Sequence, residues 1–157
     1  MTILPEQIEE ITTVAAAMGI NVSLAGTGQV SEISIGGNAL PAAFLWFCAN
    51  CDTHQGWPHF STWPGLYSPF GSPSPLEIEN STRRESTAWP ANLVSFFGTD
   101  DGAYCFRFEN NSNPEIVYVD DWANPTSDGQ PETSLETQAH DWIQWFSMMT
   151  RTISDRG

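Results

Sequence analysis

The sharpest hydrophobic pattern in the chain lies between Pro90 and Trp122. Three runs rich in β-branched and aromatic residues occur there: Pro90–Phe97, Ala103–Glu109 and Glu115–Val119. Two short connectors, Gly98–Gly102 and Asn110–Pro114, separate them with Gly, Asp, Asn and Pro. Strand formers bounded by turn formers predict an antiparallel three-strand meander. Tyr104, Phe106 and Phe108 alternate with Cys105, Arg107 and Glu109, a period of two that predicts one buried sheet face.

Helical spacing flanks this meander. Residues 3 to 18 place Ile8, Ile11, Ala15 and Met18 on one stripe, with Pro5 in the first turn and Gly19 as a left-handed terminator. Val22, Leu24, Ile33 and Ile35 predict a small hairpin around Gly26-Thr-Gly28, with a short helix over Ser31–Ile35 as the competing reading. Ala42–Ala49 is apolar almost all round, which predicts a helix buried against the sheet.

From residue 54 to 75 the chain changes character. Pro58, Pro64, Pro69, Pro73 and Pro75 exclude a continuous helix or central strand. The interleaved Trp57, Phe60, Trp63, Tyr67 and Phe70 predict a loop folded down onto the domain, with a binding surface as the alternative. Leu76–Glu79 reads as a short edge strand and Ser81 as the cap of one helical turn. A polar loop over Ala123–Pro131 follows the meander. Thr133 and Glu136 then form a capping-box pattern before Leu135, Ala139, Trp142, Phe146 and Met149, which predict a closing amphipathic helix. Without repeats or a linker, this order is that of a single α+β domain, an antiparallel meander packed against helices.

Charge narrows the partners. The 157 residues carry 19 acids and 5 bases, all arginine, for a net charge of −14. That surface should repel nucleic acid and anionic membrane and attract cationic partners, although solubility alone would also explain it. No N-terminal basic region precedes an apolar core, and no stretch is apolar enough to span a bilayer. Three cysteines fit a reducing compartment better than a disulfide framework, so a cytoplasmic protein is expected.

Candidate chemistry is sparse. Cys48, Cys51, His54 and His59 are four potential zinc ligands within twelve residues. The turn between Cys51 and His54 is tight for a chelate, however, and Cys48 lies on the most apolar helix, where a thiol is usually core. Cys105 reads as a structural strand residue. His140 and Asp141, adjacent on the expected last helix, would not face each other. Asp100-Asp101 and Asp120-Asp121 lack the alternating spacing of a calcium loop. Gly26-x-Gly28 and Gly36-Gly37 lack the strand–loop–helix setting of a phosphate cradle. Neither enzyme activity nor a cofactor is expected.

Gly37-x-x-Leu40-Pro41-x-x-Phe44 before an apolar helix resembles the opening signature of the SUKH superfamily, the Smi/Knr-like proteins. Leu93–Phe108 is similar to that family's central strand, Gly/Asp turn and aromatic strand. Glu115–Trp122 resembles its next strand with an acidic and aromatic end, and Trp142, Trp145 and Phe146 fall where the family has its closing helix. The resemblance spans about residues 31–149. It departs from the family at Ile33 and Ile35, where a helical Glu is usual, and at Asn50-Cys51-Asp52, where an Asn-Gly is common.

The resemblance implies a non-enzymatic binding domain, of the kind that in bacteria sequesters a cognate toxin and in fungi serves regulatory interactions. The segment from Thr99 to Asp141 holds ten acids against Arg107 alone, or −9 of the net −14. An expected partner surface therefore comprises Asp100, Asp101, Glu115, Asp120, Asp121 and Trp122, with a basic toxin as the partner. A non-toxin interaction domain is the alternative, and a small zinc-binding protein a more distant one.

Overall fold

The computed structural model describes residues 3–23, 29–51, 65–86, 89–99, 102–109, 113–120 and 135–156, of which Ser86 and 150–156 by backbone alone. Helix α1 (Pro5–Ala17) starts at proline, whose missing N–H costs nothing in a first turn, and the Leu4 N–H donates to Gln7 Oε1 at 3.1 Å. Gly19 ends it at φ 75°, and Ile11 and Ala15 are buried.

A small hairpin forms around the second pair of glycines. Strands β1 (Ser34–Ile35) and β2 (Asn38–Ala39) pair around Gly36 and Gly37, at φ 59° and 84°. Two central residues at positive φ make the tight turn that suits strand twist, and two adjacent glycines meet that need without steric cost. Ile35 thus pairs with Asn38 and neither Ile33 nor Ile35 is helical, while the expected turn at Gly26–Gly28 falls outside the described residues. Val22 instead bridges Cys51, and residues 24–28 lie outside the described residues.

Helix α2 (Ala42–Asn50) is the buried centre of the molecule. Phe44 meets Phe96, Phe106 and Trp142 edge to face, with centroids 5.3–6.0 Å apart. Residues 65–67 then run along the sheet edge: the Tyr67 N–H donates to the Phe96 carbonyl and the Gly98 N–H to the Gly65 carbonyl. Of the aromatic loop expected over 54–75, Tyr67 packs against the core and Phe70 stays exposed, while residues 54–64 are outside the described residues.

Residues 75–86 correct the expectation of an edge strand. They form helix α3 (Pro75–Ser86), opened by a reciprocal cap in which the Glu77 N–H donates to Ser74 Oγ and the Ser74 N–H to Glu77 Oε2, each at 3.1 Å. Pro75 at the first helical position assists the start rather than blocking it.

The main sheet has the order β3 (Leu93–Gly98), β4 (Gly102–Arg107), β5 (Glu115–Asp120), β6 (Thr137–Ala139), all antiparallel. The meander is as expected, and β6 extends it. Residues 137–139 are therefore strand, not helix, and the closing helix α4 (Trp142–Arg156) begins later. Its cap is Asp141 with Gln144: the Gln144 N–H donates to Asp141 Oδ1 at 2.8 Å, and the His140 N–H to Gln144 Oε1 at 2.6 Å. His140 precedes this helix rather than lying on it.

Both faces of the meander are apolar, which corrects the one-face reading. Val94, Phe96, Phe106 and Ile116 face the helices, with Phe106, Trp46 and Trp142 all buried in one core. Leu93, Ala103, Cys105, Val117 and Val119 form a second cluster on the other face with Trp89. A bulge between Ser95 and Phe97 breaks the period of two. It lets the consecutive Phe96 and Phe97 both reach Trp145 of α4, at 5.0 and 5.4 Å between centroids.

Candidate functional site

The strand register sorts the expected partner-binding residues. Asp120 pairs with Gly102 and Glu115 with Arg107, so these two acids occupy opposite ends of β5. Five residue steps along the strand separate them, roughly 17 Å at ~3.4 Å per residue. Asp100, Asp101, Asp121 and Trp122 lie outside the described residues. In the chain they adjoin Gly102 and Asp120, the two residues that the register sets side by side.

At the Asp120 end, hydrogen bonds hold the sheet rim in place. The Thr99 N–H donates to the Gly102 carbonyl at 2.9 Å, and the Gly102 N–H to Thr99 Oγ1 at 3.1 Å. Thr99 Oγ1 also lies 2.8 Å from the Tyr118 hydroxyl. A Cβ on Gly102 would collide with the Val119 carbonyl, so the two strands meet here only because the residue is glycine. Tyr118 packs on Tyr104 at 5.0 Å, and Tyr104 on Trp145 at 5.4 Å. By alternation Asp120 shares the face of Tyr118. Burial, and then the neighbouring Tyr118, push the Tyr104 hydroxyl up, so it stays a neutral donor.

This half-buried pair of tyrosines at the rim was not singled out in the sequence. The signal was present: Tyr104 and Tyr118 are the strand residues that carry a hydroxyl on a phenyl ring, a body for the core and a tip for water. In the hydrophobic pattern alone both count only as strand formers.

At the other end Glu115 has a structural partner. Arg107 Nη2 donates to Glu115 Oε2 at 2.9 Å and to Thr137 Oγ1 at 2.8 Å, and its Nη1 donates to the Leu135 carbonyl at 2.9 Å. Thr137 Oγ1 donates in turn to Glu115 Oε2 at 3.1 Å. The Arg107 hydrogen bond, with that from Thr137, holds the Glu115 carboxyl below its usual range. This cluster ties β4, β5 and the approach to β6 together.

The cysteines are free thiols. Burial pushes Cys51 up to about 12, and burial together with the adjacent Cys51 pushes Cys48 well above its ordinary value. Cys51 ends α2, its N–H donating to the Phe47 carbonyl. Such thiols are poor nucleophiles and poor ligands until deprotonated. His54 and His59 lie outside the described residues, among which no group of three or more His, Cys, Asp or Glu could hold a metal ion. Nor, among them, is any helix long and apolar enough to cross a membrane.

No family model, curated protein or solved structure matches the chain.

Proposed function

We propose that this chain is an immunity protein of the SUKH type, which binds a basic bacterial toxin in the cytoplasm through the acidic rim around Asp120. The observation that carries the reading is the pairing of Asp120 with Gly102. It brings together two strand ends whose next residues in the chain are Asp101 and Asp121, within a segment that contributes −9 of the net −14. Tyr104 and Tyr118 support it, since aromatic residues with polar tips are frequent anchors of protein interfaces. A nucleic-acid-directed toxin keeps a cationic groove for its own substrate, and an acidic rim would compete for that groove while steering fast association. Glu115, at the far end of β5 and held by Arg107, is not part of this rim contact.

The test is co-expression with the toxin encoded beside the gene. Replacing Asp120 and Asp121 with Lys should abolish protection while leaving the circular dichroism spectrum unchanged, and binding should weaken steeply with salt. Normal protection by the double variant, with salt-indifferent binding, would move the contact elsewhere. A gene without a neighbouring toxin would favour an interaction domain with another partner.

A further inference from the structure

The arginines of a chain this acidic are expected to be paired, and two of them are. Arg107 is held as described, and Arg83 Nε donates to Glu79 Oε1 at 2.7 Å while its guanidinium lies 4.9 Å from the Trp89 ring. Arg84 differs. Its guanidinium makes no hydrogen bond or ion pair with any described residue, although Glu77 and Glu85 line the same groove. It rests instead on the β1–β2 turn, where a Cβ on Gly36 would collide with its Nη2. The glycine thus gives the guanidinium a backbone seat, and packing rather than an acid sets its position.

The groove between this turn and α3 measures about 500 Å³, within the range of ligand sites. Pro73 and Ile78 also line it, and Ile78 is 54% exposed, one of the few large apolar side chains left in water among the described residues. Glu77 uses one carboxylate oxygen as the α3 cap. Arg84 with Glu77 and Glu85 leaves the groove slightly negative, so a bare anion gains nothing from the local field. A carboxylate beside a basic group pairs with Arg84 and Glu85, and an apolar side chain matches Ile78 and Pro73.

We propose that this groove binds a short segment of a partner protein. Arg84 takes a carboxylate side chain in a forked hydrogen bond, Glu85 takes the adjacent basic residue, and Ile78 takes an apolar one. Asn38 Nδ2 donates to the Ala91 carbonyl at 2.8 Å, which pins the turn to the entry of β3. The groove therefore lies toward the end of β3 opposite Gly98 and the acidic rim, and the inference does not depend on the toxin reading.

The experiment is an NMR titration of the ¹⁵N-labelled protein with N-acetyl-Leu-Glu-Lys-amide. The Arg84 Nε–H and the Gly36 and Gly37 amides should shift saturably. N-acetyl-Leu-Gln-Lys-amide should bind about tenfold more weakly, the loss expected for a charge-assisted pair, and R84Q should show the same weakness toward the Glu peptide. Arg84 is exposed, so R84Q should keep the urea midpoint of the parent. Absent shifts, equal binding of the Gln peptide, or undiminished binding by R84Q would overturn the proposal. So would equal shifts with sodium acetate, which would mean that any free carboxylate suffices.

Discussion

Asn80 and Ser95 hold each other reciprocally across the contact between α3 and β3. The Ser95 N–H donates to Asn80 Oδ1 at 2.8 Å, and Asn80 Nδ2 donates to the Ser95 carbonyl at 2.9 Å. Asn80 Nδ2 also donates to the Leu76 carbonyl of its own helix at 2.9 Å, and both residues are fully buried. The bulge after Ser95 interrupts the pairing of β3 with β4, and the asparagine amide serves a backbone that is also out of solvent.

Asn80→Ala should therefore cost about 2–4 kcal/mol, since it strands a buried N–H and a buried carbonyl at once. Asn80→Asp should cost more at neutral pH, because the acceptor survives while a negative oxygen replaces the donor that faced two carbonyls. Urea denaturation checks both. An Ala variant with the parent's midpoint would mean that water takes over the bonds and that α3 is loosely held.

The Arg107 cluster makes stability depend on pH in a definite direction. In the fold the Glu115 carboxyl titrates below its ordinary value of 4.5, because Arg107 and Thr137 bond its ionised form. Its contribution is thus fully present above the unfolded value and is lost as pH falls through the folded one. Glu115 remains about a third exposed, so solvent screening keeps the contribution small. The stability difference between the parent and Glu115→Gln should shrink from pH 7 toward pH 3 in paired urea titrations. A difference that stays constant over that range would show that the ion pair contributes nothing. Arg107→Met, which leaves the Leu135 carbonyl and Thr137 without their donor, should cost about 2–3 kcal/mol at pH 7.

Phe106 tests the centre of the core. Its ring lies 4.3 Å from Phe96 and 5.3 Å from Phe44, and it is fully buried. Phe106→Ala should cost about 3–5 kcal/mol, measured by urea denaturation at neutral pH. A parent-like midpoint would require the cavity to collapse, which a rigid sheet–helix contact does not allow.

These contacts also show why some elements were legible in the sequence and others were not. The meander was readable because its strand formers sit between turn formers, so local preference and tertiary packing agree. Its second buried face was hidden by Arg107, a charge in register with Cys105 and Ala103 that reads as solvent-facing until Leu135 and Thr137 are seen to receive it. Helix α3 was missed because it turns only Leu76 and Asn80 fully inward, too few for an apolar stripe, and because the prolines around Ser74 masked its cap. The start of α4 was misplaced because Leu135 and Ala139 continue the spacing of Trp142 and Phe146 backward. Pairing of Thr137–Ala139 with β5 overrides that periodicity, and Asp141 with Gln144 provides the real cap. Asp120 was legible as an acid at a strand exit, but its pairing with Gly102, and the separation from Glu115, needed the register.

The thiols decide between the core and metal readings of the Cys48–His59 segment. Moving Cys51 from 9.0 to about 12 lowers its thiolate fraction near neutral pH about a thousandfold. Cys48 moves the same way, because burial disfavours its charged form and the adjacent Cys51 would add a second negative charge. Iodoacetamide attacks the thiolate, so both residues should label far more slowly in the native protein than in urea at pH 8. Bound zinc would also suppress labelling, by occupying the sulfurs, so rate alone does not separate the readings. Chelation does. If the thiols are core, excess EDTA should leave both the slow labelling and the thermal midpoint unchanged, and elemental analysis should find no stoichiometric zinc. If they are ligands, EDTA should release about one zinc per chain, accelerate labelling of both residues together and lower the midpoint, because the binding energy of a structural metal contributes directly to folding. That second outcome would overturn the core reading.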